Sequence, residues 1–200
     1  MMKNKKGFTV LEMVISLGIM SIALTSIYGL YMTYVRVYTT EGVTSRVQQG
    51  VRAGINMMVR DIRMAGLDPE GVGTFGIVEA NAQSIRITAD RDMDGDLDEP
   101  DLSGGSVESN LEQIAFTYDG NNLLEMILYN SDDTIETRDT LLDNVSNLNF
   151  TYLDANDAAT ANPNEIRSVV IEMTVRKPAG RGDPVSRTLT KRIRCHNLDY

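Results

Sequence analysis

Histidine, cysteine and tryptophan are almost absent from this chain, which has one His, one Cys and no Trp in 200 residues. A single cysteine, Cys195, excludes an internal disulfide, so the fold must be held by packing, hydrogen bonds or a bound ion. A single histidine, His196, removes most zinc centres and most acid–base catalytic arrangements, and no role is assigned to it. There is no Gly-rich phosphate cradle and no serine-nucleophile motif, and the acids gather in one loop, so the chain reads as a structural protein rather than an enzyme. Positive charge is also in short supply. Nineteen Lys and Arg face 28 Asp and Glu, a formal net charge of −9, with no basic stripe. Nucleic acid is therefore not an expected partner, because binding it requires Lys and Arg to displace phosphate counterions.

The residues that are present are unevenly placed. Lys3, Lys5 and Lys6 precede an apolar run from Phe8 to Val35 that only Glu12 and small polar residues interrupt. A helix crosses a bilayer with about 20 apolar residues, so this run is long enough to span. A secretory signal has an apolar stretch of only about 7 to 15 residues and a small-x-small cleavage site at its end, which this run lacks. By the positive-inside rule the lysines stay in the cytoplasm and residues after Arg36 lie beyond the inner membrane, in the periplasm. A plain membrane anchor would explain the lysines and the length. It leaves Glu12 unexplained, because a carboxylate at that depth costs on the order of 2.5 to 3.5 kcal/mol, which makes it a functional candidate.

The segment Lys5-Lys6-Gly7-Phe8-Thr9-Val10-Leu11-Glu12 resembles the processing signature of type IV prepilins: basic residues, Gly, then a mature chain that starts with Phe and carries Glu at its fifth position. The resemblance implies cleavage between Gly7 and Phe8 by a membrane prepilin peptidase, methylation of the new Phe8 amine, and assembly with other pilins or minor pilins in a filament. It also implies that Glu12 pairs with the N-terminal amine of a neighbouring subunit. A buried acid is tolerable only when paired, and Phe8 and Glu12, four residues apart, would share one helical face. Residues 84–118 and the run from Leu142 to Tyr152 resemble the PilW family of minor pilins. A J-type pseudopilin of type II secretion has the same architecture and is the alternative, followed by a membrane-anchored, calcium-dependent adhesin that does not polymerise.

Beyond the membrane run the pattern stays helical. Val43, Val47, Val51, Ile55, Met58, Val59 and Ile62 form an amphipathic stripe, with Arg46, Gln48, Gln49, Arg52 and Arg60 on other faces. Gly66 followed by Asp68-Pro69 is a stop signal, which predicts one helix from Phe8 to Ala65. After it the period changes to two: Ile85 and Ile87, then Ile114, Phe116 and Tyr118, then Met126 and Leu128, then Leu148, Phe150 and Tyr152. Asp119-Gly120-Asn121-Asn122 reads as a hairpin turn, and strands near 166–176 and 185–195 close the chain. The expected fold is α+β and pilin-like, a long N-terminal helix packed on an antiparallel sheet. Its parts are a leader (1–7), a transmembrane half-helix (8–35), an amphipathic half-helix (36–66) and a periplasmic β-domain (67–200).

One loop, residues 90–101, carries seven carboxylates in twelve residues. Read as an EF-hand-like loop it places Asp90, Asp92 and Asp94 at alternate positions, Gly95 at the sharp turn, then Asp96 and Asp98, and it ends at Asp101. These six aspartates are the expected ligands of a structural calcium ion. Two features depart from the pattern: Asp101 stands where a longer, bidentate Glu belongs, and the flanks read as strands. Asp154, Asn156 and Asp157 form a second acidic stretch, better read as an Asx turn.

Overall fold

The computed structural model describes residues 7–71, 75–93, 95, 97, 112–180 and 183–198. Helix α1 runs from Val10 to Met64, 55 residues, or about 82 Å at 1.5 Å per residue. It starts two residues later than its apolar pattern suggests, because Thr9 caps it. Glu12 N–H donates to the Thr9 hydroxyl, and the Glu12 carboxylate accepts from Thr9 N–H at 2.9 Å, which completes a capping box.

Two halves of α1 live in different surroundings. Val47, Val51, Ile55, Met58, Val59 and Ile62 are buried, and Val43 packs at the edge of the same cluster. Arg46, Gln48, Gln49, Arg52 and Arg60 are exposed, as the stripe predicts. From Phe8 to Tyr38, by contrast, the large apolar side chains lie open, with only Met32 and Val35 partly covered. The Ser and Thr hydroxyls of that half turn back onto their own helix: Ser16, Ser21, Thr25, Ser26 and Thr33 each donate to the carbonyl four residues earlier. Their polarity is thus satisfied without solvent, which suits a helix in hydrocarbon.

The strands form two antiparallel sheets where the sequence suggests one. The first is a meander of β1 (Ile77–Ala80), β2 (Ser84–Thr88), β3 (Gln113–Tyr118), β4 (Leu124–Tyr129) and β5 (Ile135–Leu142), in that order. The second contains β6 (Val145–Leu153), β7 (Ser168–Lys177) and β8 (Val185–Arg194). The β3–β4 turn falls on the expected residues, with Asp119 Oδ1 accepting from the N–H groups of Asn121 and Leu123. Strands β1 and β5 carry no clear alternation. They are the edges of the first sheet, and β5 is charged and largely exposed (Glu136, Arg138, Asp139), as edge strands that avoid further pairing tend to be.

Helix α1 packs mainly on β7 and β8 and also touches β5. Gly54 approaches both sheets closely: a methyl group added there would lie 3.2 Å from Met173 Cε, 3.5 Å from Leu142 Cδ2 and 3.6 Å from Leu124 Cδ2. The sheets are also tied directly. Phe150 N–H on β6 donates to Ala82 carbonyl at 2.7 Å, and the Tyr152 hydroxyl lies 2.7 Å from Asn81 carbonyl and 2.9 Å from Ser84 carbonyl, around the β1–β2 turn. Burial, and then the nearby Glu79 carboxylate, push the Tyr152 phenol above its ordinary value. The protonated phenol's contribution is therefore complete below the unfolded value near 10 and is lost only in stronger alkali.

The helix leaves the core through Gly66, which has φ of +77°, and Gly66 N–H donates to Thr88 carbonyl at 3.0 Å. A Cβ at this position would run into Leu198 Cδ2 and lie 3.1 Å from the Asn197 carbonyl oxygen. The left-handed backbone favours glycine, and a side chain would also crowd Leu198 and the Asn197 carbonyl. Gly66→Ala should therefore lower stability by about 2 kcal/mol or more, read as a lower melting temperature with the helix content of the folded state unchanged.

Candidate functional site

The N-terminal candidates lie on an open, unencumbered end. Gly7 and Phe8 precede the first helical turn, Phe8 is 85% exposed, and a Cβ on Gly7 would meet nothing within 4 Å. The fold thus places no demand for glycine at position 7. Because Phe8 lies outside α1, it does not share a helical face with Glu12 as the spacing alone suggests. Glu12 instead turns to Thr9, whose hydroxyl also donates to Glu12 Oε2 at 2.9 Å. One carboxylate thus holds the helix start while sitting at the head of an apolar helix.

The acidic loop is described in part. Asp94, Asp96, Asp98 and Asp101 lie outside the described residues, whereas Asp90 and Asp92 follow directly from the end of β2. Carboxylate oxygens of Asp90, Asp92 and Glu112 lie within 4.8 Å of one another. Like charges this close repel by roughly 3 kcal/mol per pair at an effective dielectric constant near 20. Asp90 and Glu112 are buried and Asp92 is exposed. Glu112 Oε1 accepts from the N–H groups of Arg91 at 2.6 Å and Asp92 at 3.4 Å. Asp90 Oδ1 accepts from Met93 N–H at 2.6 Å. Gly95 has φ of +83°, so a left-handed turn stands where the loop pattern requires one. Glu112 escapes a reading by spacing because 21 residues separate it from Arg91. Only β2–β3 pairing brings it back to the start of the loop.

A third buried acid lies beside this cluster. Asp61, on the last turn of α1, is 1% exposed, and its Oδ1 accepts from Arg91 Nη2 at 3.1 Å and from Arg60 Nε at 3.2 Å. Asp90 N–H donates to Leu67 carbonyl at 2.9 Å, just past the helix end. The loop is thereby fastened to the foot of α1 by one ion pair and one backbone hydrogen bond. The other acidic stretch is a turn: Asp154 Oδ1 accepts from Asn156 and Ala158 N–H, and Asp157 pairs with Arg192 across the sheet edge. Cys195 is buried and forms no disulfide.

In comparisons with known proteins, the model described as the prokaryotic N-terminal methylation motif matches residues 2–28, which span the basic residues, Gly7, Phe8, Glu12 and the first turns of the apolar helix. The chain carries the N-terminus of a type IV pilin-like precursor. No curated protein matches it. The motif marks a pilin or pseudopilin precursor, a class of structural subunit. The pilin-like helix is also long and apolar enough, by length and composition, to cross a membrane.

The Asp61–Arg91 pair generates a test of how the loop is held in this pilin-like chain. Removing one partner of a buried pair leaves the other charge unsolvated, whereas replacing both with apolar groups is often neutral. Arg91→Ala leaves Asp61 with Arg60 as its remaining partner and should cost roughly 1 to 3 kcal/mol, and Asp61→Leu combined with Arg91→Met should recover most of it. Denaturation of the three variants against the parent chain checks both statements.

Proposed function

We propose that this chain is a minor pilin of the kind its resemblance to the PilW family suggests. It is cut between Gly7 and Phe8, methylated on the Phe8 amine, held in the inner membrane with its β-domain in the periplasm, and built into a filament with other pilins. One observation carries the reading: the matched motif continues into a half-helix that buries none of its large apolar side chains, from Phe8 to Tyr38, against its own domain. Lipid before assembly and neighbouring helices after it are the surroundings that such a surface requires. The same helix then enters the core without a break, so a force on the filament centre is transmitted to the β-domain through α1. The role is structural, and catalysis is no part of it.

Processing and assembly separate in two variants. Gly7 meets no steric demand from the fold, so Gly7→Leu should fold normally and accumulate as an uncut, membrane-bound precursor, checked by N-terminal sequencing. Normal maturation of that variant would remove the prepilin reading.

Glu12 has two jobs in this account, capping its own helix and neutralising a neighbour's amine. Glu12→Ala would lose both. Glu12→Gln keeps a capping acceptor at the third helical position while losing the charge. Glu12→Gln should therefore be cleaved and inserted like the parent, yet be depleted about tenfold or more from sheared filaments, since tenfold is only about 1.4 kcal/mol of lost pairing. Equal recovery of the two chains would favour a membrane-anchored adhesin that never polymerises.

A further inference from the structure

Asp90, like Asp61, buries a carboxylate oxygen that has no hydrogen-bond partner among the described residues. It is 0% exposed, and while its Oδ1 accepts from Met93 N–H, its Oδ2 has no hydrogen-bond partner. A buried carboxylate oxygen without a partner carries its full desolvation penalty. Asp90 also offers a carboxylate oxygen to the cluster in which Asp92 and Glu112 lie within 4.8 Å, so local repulsion adds to that penalty. Arg91, adjacent in sequence, directs Nη2 to Asp61.

We infer that Asp90, Asp92 and Glu112 bind one calcium ion, which joins the start of the acidic loop to the N-terminal end of β3 at the foot of α1. The donors are all carboxylate oxygens, which suit a hard cation and not zinc or copper, whose sites draw on nitrogen and sulfur. Three carboxylates, each binding through one or both oxygens, supply about three to six of the roughly six to eight oxygens that calcium takes. Magnesium fits less well, because it holds its water and is met by only about one or two carboxylates.

Glu112 supplies what the loop's own spacing lacks, the longer carboxylate that Asp101 does not provide. It arrives from the residue just before β3, and the backbone is already set to receive it. Ala89 N–H donates to Glu112 carbonyl at 2.9 Å, and Arg91 N–H holds Glu112 Oε1 at 2.6 Å. Asp90 N–H is fixed to Leu67 carbonyl, so an ion here bears on the helix exit as well as on the loop. The site would do the work of a missing disulfide, bridging segments about 20 residues apart in a chain with one cysteine.

The test uses the full chain in detergent, stripped with a chelator and melted in calcium chloride, magnesium chloride, or sodium chloride at matched ionic strength. Calcium at a hundredfold excess over its dissociation constant should raise the melting temperature by about 5 to 10 °C. Magnesium should do less, and sodium chloride should do little. Glu112→Gln keeps the acceptor for Arg91 N–H and relieves repulsion, so its melting temperature without calcium should hold or rise while its calcium response disappears. Asp90→Asn should lose the response too. Should Asp90→Asn not fold, calorimetric titration of the parent and Glu112→Gln decides alone: one calcium per chain in the parent, at least tenfold weaker in the variant. A calcium shift no larger than the magnesium or salt shift, or full calcium binding by Glu112→Gln, overturns the site. No filament is needed for this measurement, so its outcome is separate from that of the assembly tests.

Discussion

The burial of one helical stripe against two sheets is the contact on which the rest of this molecule depends. From Val47 to Ile62 the helix presents apolar side chains to β7 and β8 and to the edge of the five-stranded sheet, and no other long helix is described to close that core. At about 25 cal/mol per Å² of apolar surface, each fully buried Val, Ile or Met contributes roughly 1.5 to 3 kcal/mol before entropy is counted. Gly54 explains how one helix serves both sheets. With no side chain there, the backbone settles where Met173, Leu142 and Leu124 converge.

The same helix is bare where it leaves this core on the N-terminal side, and that asymmetry connects fold to function. A helix about 82 Å long with only its second half buried is a two-solvent object, one half designed for protein packing and the other for lipid or for its own kind. The hydroxyls that bond back along the first half let the segment carry small polar residues at little cost in hydrocarbon. Glu12 is the exception, and among the described residues its carboxylate accepts hydrogen bonds from Thr9.

At the other end of α1, polar contacts gather. Gly66 turns the chain, Thr88 receives its N–H, Asp61 takes Arg91, and Asp90 is held by Leu67. Acids from the helix (Asp61), the loop (Asp90 and Asp92) and the residue before β3 (Glu112) crowd this junction beside the buried Ile62, Ala65 and Ala89. Cation binding at such a place would stabilise the native state by mass action without altering the core.

What the sequence alone determined was set by local physics. The lysines, the apolar run and Glu12 define the processing end, because a prepilin motif is a linear signal. The stripe from Val43 to Ile62 was legible because 3.6-residue periodicity belongs to one helix, and the hairpin at Asp119 was legible because turn chemistry is local. Tertiary structure decided the remainder. Two sheets formed rather than one, since pairing partners are chosen by how strands share the helix, and the edge strands β1 and β5 lack the alternation that one-sided burial imposes. Thr9 drew Glu12 away from Phe8, since the helix begins only after its cap. Glu112 entered the acidic cluster because strand pairing brings distant residues together, a relation that no spacing along the chain encodes.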